Sequence, residues 1–430
     1  MHYIRLLRAP KLTYEKGRKH PWSLNVVLSV TTDLGDSFLN PDDNDPIKLK
    51  VSAGWEQPSK QKTAESMILA AEKSLRWTPG MRVLKADIPA QHLTAASLPN
   101  PGPGPLRVFI RAGASRSAEL ATSVAFAGFQ GDCGKVMPVW ADVQTPDSDE
   151  APTTCLRRLA HGDRKSEPFI EIEEDIGESI ARHIWDAGLV AVSRVWLVND
   201  RKSRNAARHP WHMDEFHDLL FRRGPLNILE LGCGVGILGN GLAQIMTRED
   251  PEGKSSILMT DLPEAEQRAT ANIAHLTRAG TASIHPEYEN LDWDDGRKGQ
   301  LGPLVKAKTW DLIVMSDCTY NVDVLPSLIN TWTAVHVHNL SKSPQGSAQT
   351  YVYVAWKKRH PDENEFWNLV DDAGWTLQEE DVVDLPVLGD ETQKIFSYLF
   401  ETHSRKYERV AETGTWKCLD RAGPRPHSSG

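Results

Sequence analysis

The run Leu226-Asn227-Ile228-Leu229 followed by Glu230-Leu231-Gly232-Cys233-Gly234-Val235-Gly236 constrains this chain more than any other stretch. The apolar part reads as a buried strand. After the glycines, Leu238, Leu242 and Ile245 recur at helical spacing. A strand entering a helix through alternate glycines lets the backbone approach a ligand where a Cβ would collide. This is the layout of a nucleotide pocket, placed at the carboxyl end of a strand in an open α/β sheet.

The second half repeats that logic. Strands are expected at Phe169–Ile172, Leu226–Leu231, Ile257–Met259, Ser283–His285, Leu312–Met315 and Tyr351–Trp356, with Leu377–Val383 and Ile395–Phe400 closing the series. Between them lie helical stripes: Leu189, Val192, Val195 and Trp196 after Asp186, then Ala265, Ala269, Ile273 and Leu276 after Pro263, which suits a first helical turn. Alternating strands and helices predict a largely parallel α/β sheet covered on both faces. No helix separates the last two strands, so a hairpin there makes one strand antiparallel.

Before residue 166 the texture differs. Short β-like runs (Leu24–Val30, Ile47–Val51, Met81–Ala86, Leu106–Arg111, Val136–Trp140) alternate with Pro/Gly-rich breaks such as Pro99–Pro105. This predicts a smaller, β-rich N-terminal domain over 1–165. The polar stretches Thr145–Glu150 and Arg157–Lys165 read as loop or linker. An α/β domain then spans 166–405, and 406–430 reads as a tail.

Chemistry-bearing residues fall at strand ends. Asp261 closes the second strand, where a carboxylate accepts from ribose hydroxyls; the bland alternative is a helix cap. Asp292 and Trp293 follow the third strand, where an acid accepts from an adenine amino group and a Trp packs on the ring; the alternative is a loop Trp filling a gap. Ser316, Asp317 and Tyr320 follow Leu312–Met315. A carboxylate there orients a substrate ammonium and a phenol oxygen accepts from it, unless Asp317 only caps a helix. Cys233 and Cys318 have no His beside them in sequence and read as pocket wall. His336 and His338 lack a third ligand nearby, so no metal is expected. Lys357-Lys358-Arg359-His360 and Arg201–Arg208 read as solvated basic loops.

Gly234-Val235-Gly236-Ile237-Leu238-Gly239 satisfies the dinucleotide fingerprint G-x-G-x-x-G, and Glu230–Gly236 satisfies the E-x-G-x-G-x-G turn of S-adenosylmethionine-dependent methyltransferases. A NAD-dependent dehydrogenase would leave Trp185, Trp293, Asp317 and Tyr320 idle. From about 176 to 400 the chain resembles the methyltransferase-16 group of seven-β-strand protein-lysine methyltransferases. Trp185-Asp186-Ala187-Gly188, Glu230–Gly236, Asp261-Leu262-Pro263, Asn272, Leu291-Asp292-Trp293, Ser316-Asp317-Cys318-Thr319-Tyr320 and Trp356–His360 with Glu363 and Trp367 carry the likeness in order. The resemblance implies a Rossmann-like seven-stranded sheet and S-adenosyl-L-methionine as cofactor. It implies a cofactor site of Trp185, Glu230, Gly232, Gly234, Gly236, Asp261, Asp292, Trp293 and Ser316. Asp317 and Tyr320 are then the catalytic pair, receiving a lysine of a protein substrate. A small amine as acceptor, or a catalytically silent binding protein of the same fold, are the alternatives. The extension 1–165 lies outside the resemblance and is expected to serve substrate recognition.

Composition narrows the partners. The chain has 430 residues and a net charge of −9, which disfavours nucleic acid as partner. No apolar run approaches the roughly 18 residues of a membrane span. Five scattered cysteines without a CxxC pair fit a reducing compartment, so the cytoplasm is expected, with the nucleus also open. A monomer is expected.

Overall fold

The apolar runs of the second half become one seven-stranded sheet, whose strands are labelled β1 to β7 in chain order. They are Asn227–Leu231 (β1), Ser256–Asp261 (β2), Glu287–Asn290 (β3), Leu312–Ser316 (β4), Tyr351–Trp356 (β5), Thr376–Pro386 (β6) and Thr392–Glu401 (β7). The order is β3-β2-β1-β4-β5-β7-β6. Strands β1 to β5 run parallel, while β7 pairs antiparallel with both β5 and β6, as the missing helix predicts. The order reverses between β1 and β4, and a crevice at such a point is where open sheets bind ligands. This is a computed structural model; it describes residues 1–56, 67–90, 104–127, 135–161, 169–177, 182–199, 212–343, 348–386, 392–402, 404, 406–410 and 415–420. The basic segment Arg201–Arg208, the tail Pro424–Gly430 and residues 162–168 around the expected domain boundary lie outside the described residues.

The third strand lies later than expected. Ser283 is taken up by the preceding loop, its N–H donating to Thr247 and its hydroxyl to the Asp250 carbonyl, and ladder pairing with β2 begins only at Glu287. Pro286 lacks the N–H a ladder needs. Elsewhere local chemistry holds. Pro263 opens the helix Pro263–Ala279, and Gly280 closes it at φ 61°, a left-handed turn that suits glycine.

The first half folds as two facing sheets. One runs Lys11–Tyr14, Trp22–Thr31, His2–Leu6, Val136–Met137, with Leu84–Pro89 also on Trp22–Thr31. The other runs Phe169–Asp175, Thr154–Ala160, Val139–Asp142, Leu106–Ala112, Ile47–Glu56, Met67–Trp77. Leu24, Val26 and Leu28 of the first share a core with Leu49, Val51, Val108 and Ile110 of the second, as in a sandwich. The expected strand Val136–Trp140 is two strands, one in each sheet, divided at Pro138.

Three expectations about boundaries change. Arg157 and Arg158 are strand residues, not linker. Arg157 is buried because its charge meets Glu174 at 2.7 Å and it donates to the carbonyls of Ile4 and Pro138. Phe169–Asp175, expected in the α/β sheet, is instead an edge strand of the sandwich, paired along its length with Thr154–Ala160. The sandwich therefore runs past residue 165. Likewise the expected tail includes a hairpin, Tyr407–Arg409 with Trp416–Cys418. Cys418 is buried there, and the Trp416 N–H donates to Asn330.

The two halves share a hydrophobic core. Met1, Tyr3, Val124, Met137, Leu159, Ile170 and Ile172 pack in one cluster with Leu189, Val195, Ile228, Leu238, Val314 and Tyr353. This explains the helix Asp186–Asn199, whose residues are all buried except Val198. Its expected single stripe becomes burial all round, because the sheet covers one side and the N-terminal half the other. Asn272 ties the halves with polar bonds. Its side chain exchanges hydrogen bonds with the Glu173 backbone and donates to the Val235 carbonyl in the glycine turn.

Candidate functional site

The glycine turn is left-handed at three places: Gly232 at φ 68°, Gly234 at φ 54° and Gly236 at φ 81°. A Cβ on Gly232 would stand 2.5 Å from the Cys318 sulfur and 3.0 Å from the Trp293 ring. One on Gly236 would meet the Met259 methyl. The turn is thus pinched between β1, β2 and β4 as well as conformationally demanding. Glu230 holds it from behind. Its buried carboxyl accepts from the Gly239 N–H at 3.0 Å, and burial pushes its pKa well above the carboxylate range.

Outside the carboxyl ends of β1, β2 and β4 opens a cavity of about 350 Å³. Of the residues expected to hold cofactor, Trp185, Gly232, Gly234, Asp261, Asp292, Trp293 and Ser316 line it, together with Asp317 and Tyr320. Glu230 and Gly236 do not. They shape the turn without facing the cavity, because one is buried under the helix start and the other begins that helix. The cavity wall also includes His183, Asp294, Ser327 and both Cys233 and Cys318. Burial pushes each of these two thiols well above its ordinary pKa, which leaves them neutral wall residues. His336 is buried between Thr350 and the Ser404 carbonyl, and His338 meets the Lys308 carbonyl. Among the described residues no three metal-ligating side chains come together.

Asp261 accepts from the Gly234 and Leu262 N–H groups, both at 2.7 Å, so it braces the glycine turn as well as facing the cavity. Burial raises its pKa. Asp292 caps the short helix Trp293–Gly296 through the Asp294 N–H at 2.8 Å. Each carboxylate oxygen carries a second lone pair, so both acids retain accepting capacity toward a ligand. An acid at the end of β2, a Trp beside the glycine turn and a floor without Cβ atoms fit the ribose, adenine and amino-acid parts of S-adenosylmethionine.

Asp317 is the unusual residue. Among the described residues it alone is a non-glycine with left-handed φ, at 53°. Such strain persists where surrounding contacts over-determine it, and it clusters at functional sites. Here the contacts are visible. Asp317 Oδ2 accepts from the Ala187 N–H at 2.8 Å, in the first turn of the helix Asp186–Asn199, and Oδ1 accepts from Arg359 at 3.1 Å. The helix-cap reading and the cavity-lining reading both hold. Burial is the strongest influence on its pKa and outweighs the Arg359 charge, so the carboxyl is pushed up to about 6. Tyr320 stands at the mouth, 56% exposed.

Lys357 and Arg359 overturn the solvated-loop expectation. Lys357 is buried and reaches Asp33 at 2.9 Å and Asp186 at 2.7 Å. Arg359 bridges Asp33 and Asp317, and its guanidinium lies over the Trp185 ring, 4.9 Å from the centroid. Lys358 and His360, between and after them, are exposed. A spacing of two puts Lys357 and Arg359 on one side of an extended chain, and Lys358 and His360 on the other. No local signal identified Asp33, which reaches this network from 324 residues away.

The family comparison agrees with this geometry. Residues 164–373 match a family model described as lysine methyltransferase. The chain is 25% identical over 377 residues to a UPF0665 family protein of Schizosaccharomyces pombe, covering 87% of this chain and 93% of that protein. Solved structures with detectable likeness include a SAM-dependent methyltransferase of Methanosarcina mazei, at 14% identity and TM-score 0.31, over 45% of this chain and 98% of that one. A Pyrococcus horikoshii protein described as a transferase shows 13% identity and TM-score 0.33, over 61% of this chain and 78% of that one. The strand order, the glycine turn and the match of residues 164–373 to the lysine methyltransferase model agree, and the fold of the second half is that of S-adenosylmethionine-dependent methyltransferases.

Proposed function

We propose that this protein methylates a lysine side chain of another protein. The observation that carries the reading is that Asp317 and Tyr320 line the same cavity as Asp261 and Trp293. Trp185, Gly232, Gly234, Asp261, Asp292, Trp293 and Ser316 would hold S-adenosylmethionine. When bound, that cofactor supplies an electrophilic methyl group. The chain's own task is to deliver a neutral amine, since an ammonium has no lone pair to share. Asp317, ionised above about 6, attracts the lysine cation and takes a proton at its carboxylate. The Tyr320 oxygen accepts a second N–H of the amine and fixes its direction. The remaining catalysis is alignment of the amine with the methyl group.

Asp261→Ala is expected to weaken S-adenosylmethionine binding by roughly 10- to 150-fold, as loss of about 1.5–3 kcal/mol of charge-assisted hydrogen bonding implies. Calorimetric titration checks it; a folded variant with unchanged affinity removes Asp261 from the site.

The acceptor is tested by incubating the protein with radiolabelled S-adenosylmethionine and cell lysate, then separating protein from small molecules. Label in a discrete protein band, mapped to lysine by mass spectrometry, is expected. Label confined to small molecules would reassign the acceptor to a small amine. Label on arginine or histidine would refute the roles given to Asp317 and Tyr320.

A further inference from the structure

Asp33 belongs to the N-terminal sandwich, just past the strand Trp22–Thr31. Its side chain is 1% exposed, yet its long-range partners all lie in the methyltransferase half. Oδ1 accepts from Lys357 at 2.9 Å and Arg359 Nη1 at 3.3 Å, and Oδ2 from Arg359 Nη2 at 2.9 Å and the Asp186 N–H at 3.3 Å. Burial works to raise its pKa, but with Lys357 and Arg359 opposing, the net shift is downward. Arg359 therefore meets Asp33 through two nitrogens, a fork that fixes the guanidinium plane. Its contact with Asp317 uses one of those nitrogens, and its face covers Trp185. Two cavity-lining residues, Trp185 and Asp317, are thus both seated against a group whose position is set from the other half of the chain.

We propose that Asp33 is a positioning residue of the methyl-transfer site: it anchors Arg359, and Arg359 holds the Asp317 carboxylate in place, so that the sandwich completes the acceptor side of the site. This rests on the reading that Asp317 meets the acceptor amine. A lysine substituted for Arg359 keeps the charge but cannot make the fork.

The test compares full-length Asp33→Asn, Asp33→Glu, Arg359→Lys, Asp317→Asn and the double substitution Asp33→Asn with Asp317→Asn. Asp33→Asn and Arg359→Lys should lower kcat about 10- to 100-fold, as a misplacement near 1 Å does, with the cofactor Kd changed less than about threefold. Asp33→Glu keeps the charge balance and serves in case Asp33→Asn fails to fold; it shifts the anchor by one methylene and should show the same split. The melting-point shifts of Asp33→Asn or Asp33→Glu and of Asp317→Asn should fail to add in the double variant. Additive shifts overturn the inference whether or not transfer is detected. So does unchanged kcat in the folded variants, or a kcat loss matched by an equal loss of cofactor affinity. Absence of transfer in the wild-type protein would refute the lysine reading instead, and the melting-point cycle would still decide for or against Asp33.

Discussion

A chain lacking residues 1–165 is expected not to fold around its cofactor cavity. The truncation removes Met1, Tyr3, Val124, Met137 and Leu159 from a cluster they share with Leu189, Ile228, Leu238 and Val314. It strips the edge strand Phe169–Asp175 of its pairing with Thr154–Ala160. It also removes Asp33 and the Tyr3 hydroxyl, which lies 2.8 Å from Asp186, leaving Lys357, Arg359 and Asp186 with incomplete partners. Breaking a buried ion pair costs about 3–5 kcal/mol by itself, against a total stability of about 5–15 kcal/mol for an ordinary domain. The apolar surface uncovered adds to that loss. Circular dichroism and thermal unfolding of the truncated chain decide the matter. A cooperative transition together with S-adenosylmethionine binding would show that the sandwich is dispensable for folding, and would return it to the recognition role expected from the sequence.

Asp317→Asn is expected to abolish methyl transfer, by at least about 100-fold in kcat, while cofactor affinity stays within about threefold. Asparagine is the informative replacement. It tolerates the left-handed backbone at φ 53°, whereas alanine there would add backbone strain to the loss of the carboxylate. In the wild type, transfer should fall as pH drops through about 6, because protonated Asp317 neither attracts the lysine cation nor takes its proton. Stability should move the opposite way. The folded-state pKa is raised from 3.8 to about 6, so stability from this group is full below 3.8 and is lost as pH rises through about 6. That loss is worth roughly 3 kcal/mol. The melting point of Asp317→Asn relative to wild type should therefore improve between pH 5 and pH 8. A pH-independent difference, or normal turnover, would reduce Asp317 to a helix cap.

The doubly wound sheet was legible because its evidence is local. Leu226–Leu231 is a short, mainly apolar run ended by glycines, the length and punctuation of a buried strand, and Pro263 and the glycines of 232–236 mark turns by backbone constraint alone. Asp261, Trp293 and Asp317 follow strand ends, so topology brings them to one edge once the sheet forms. Less legible were elements whose character depends on distant partners. Ser283–His285 reads as strand until the loop at Asp250 claims Ser283. Arg157 and Arg158 read as linker because nothing nearby shows that Glu174 and Glu171 will neutralise them. Arg359 reads as solvated until Asp33 and Asp317 close on it.

What the sequence determined by itself was the periodicity and the turns, hence the class of fold, the glycine cradle and the acids around it. What only the tertiary structure decided was which charges are buried together and how the two halves join. The physical reason is range. Backbone conformation and apolar periodicity are written within a few residues. The burial of Lys357 and the partial burial of Arg359 are possible only because Asp33, Asp186 and Asp317 arrive from three separate parts of the chain to neutralise them.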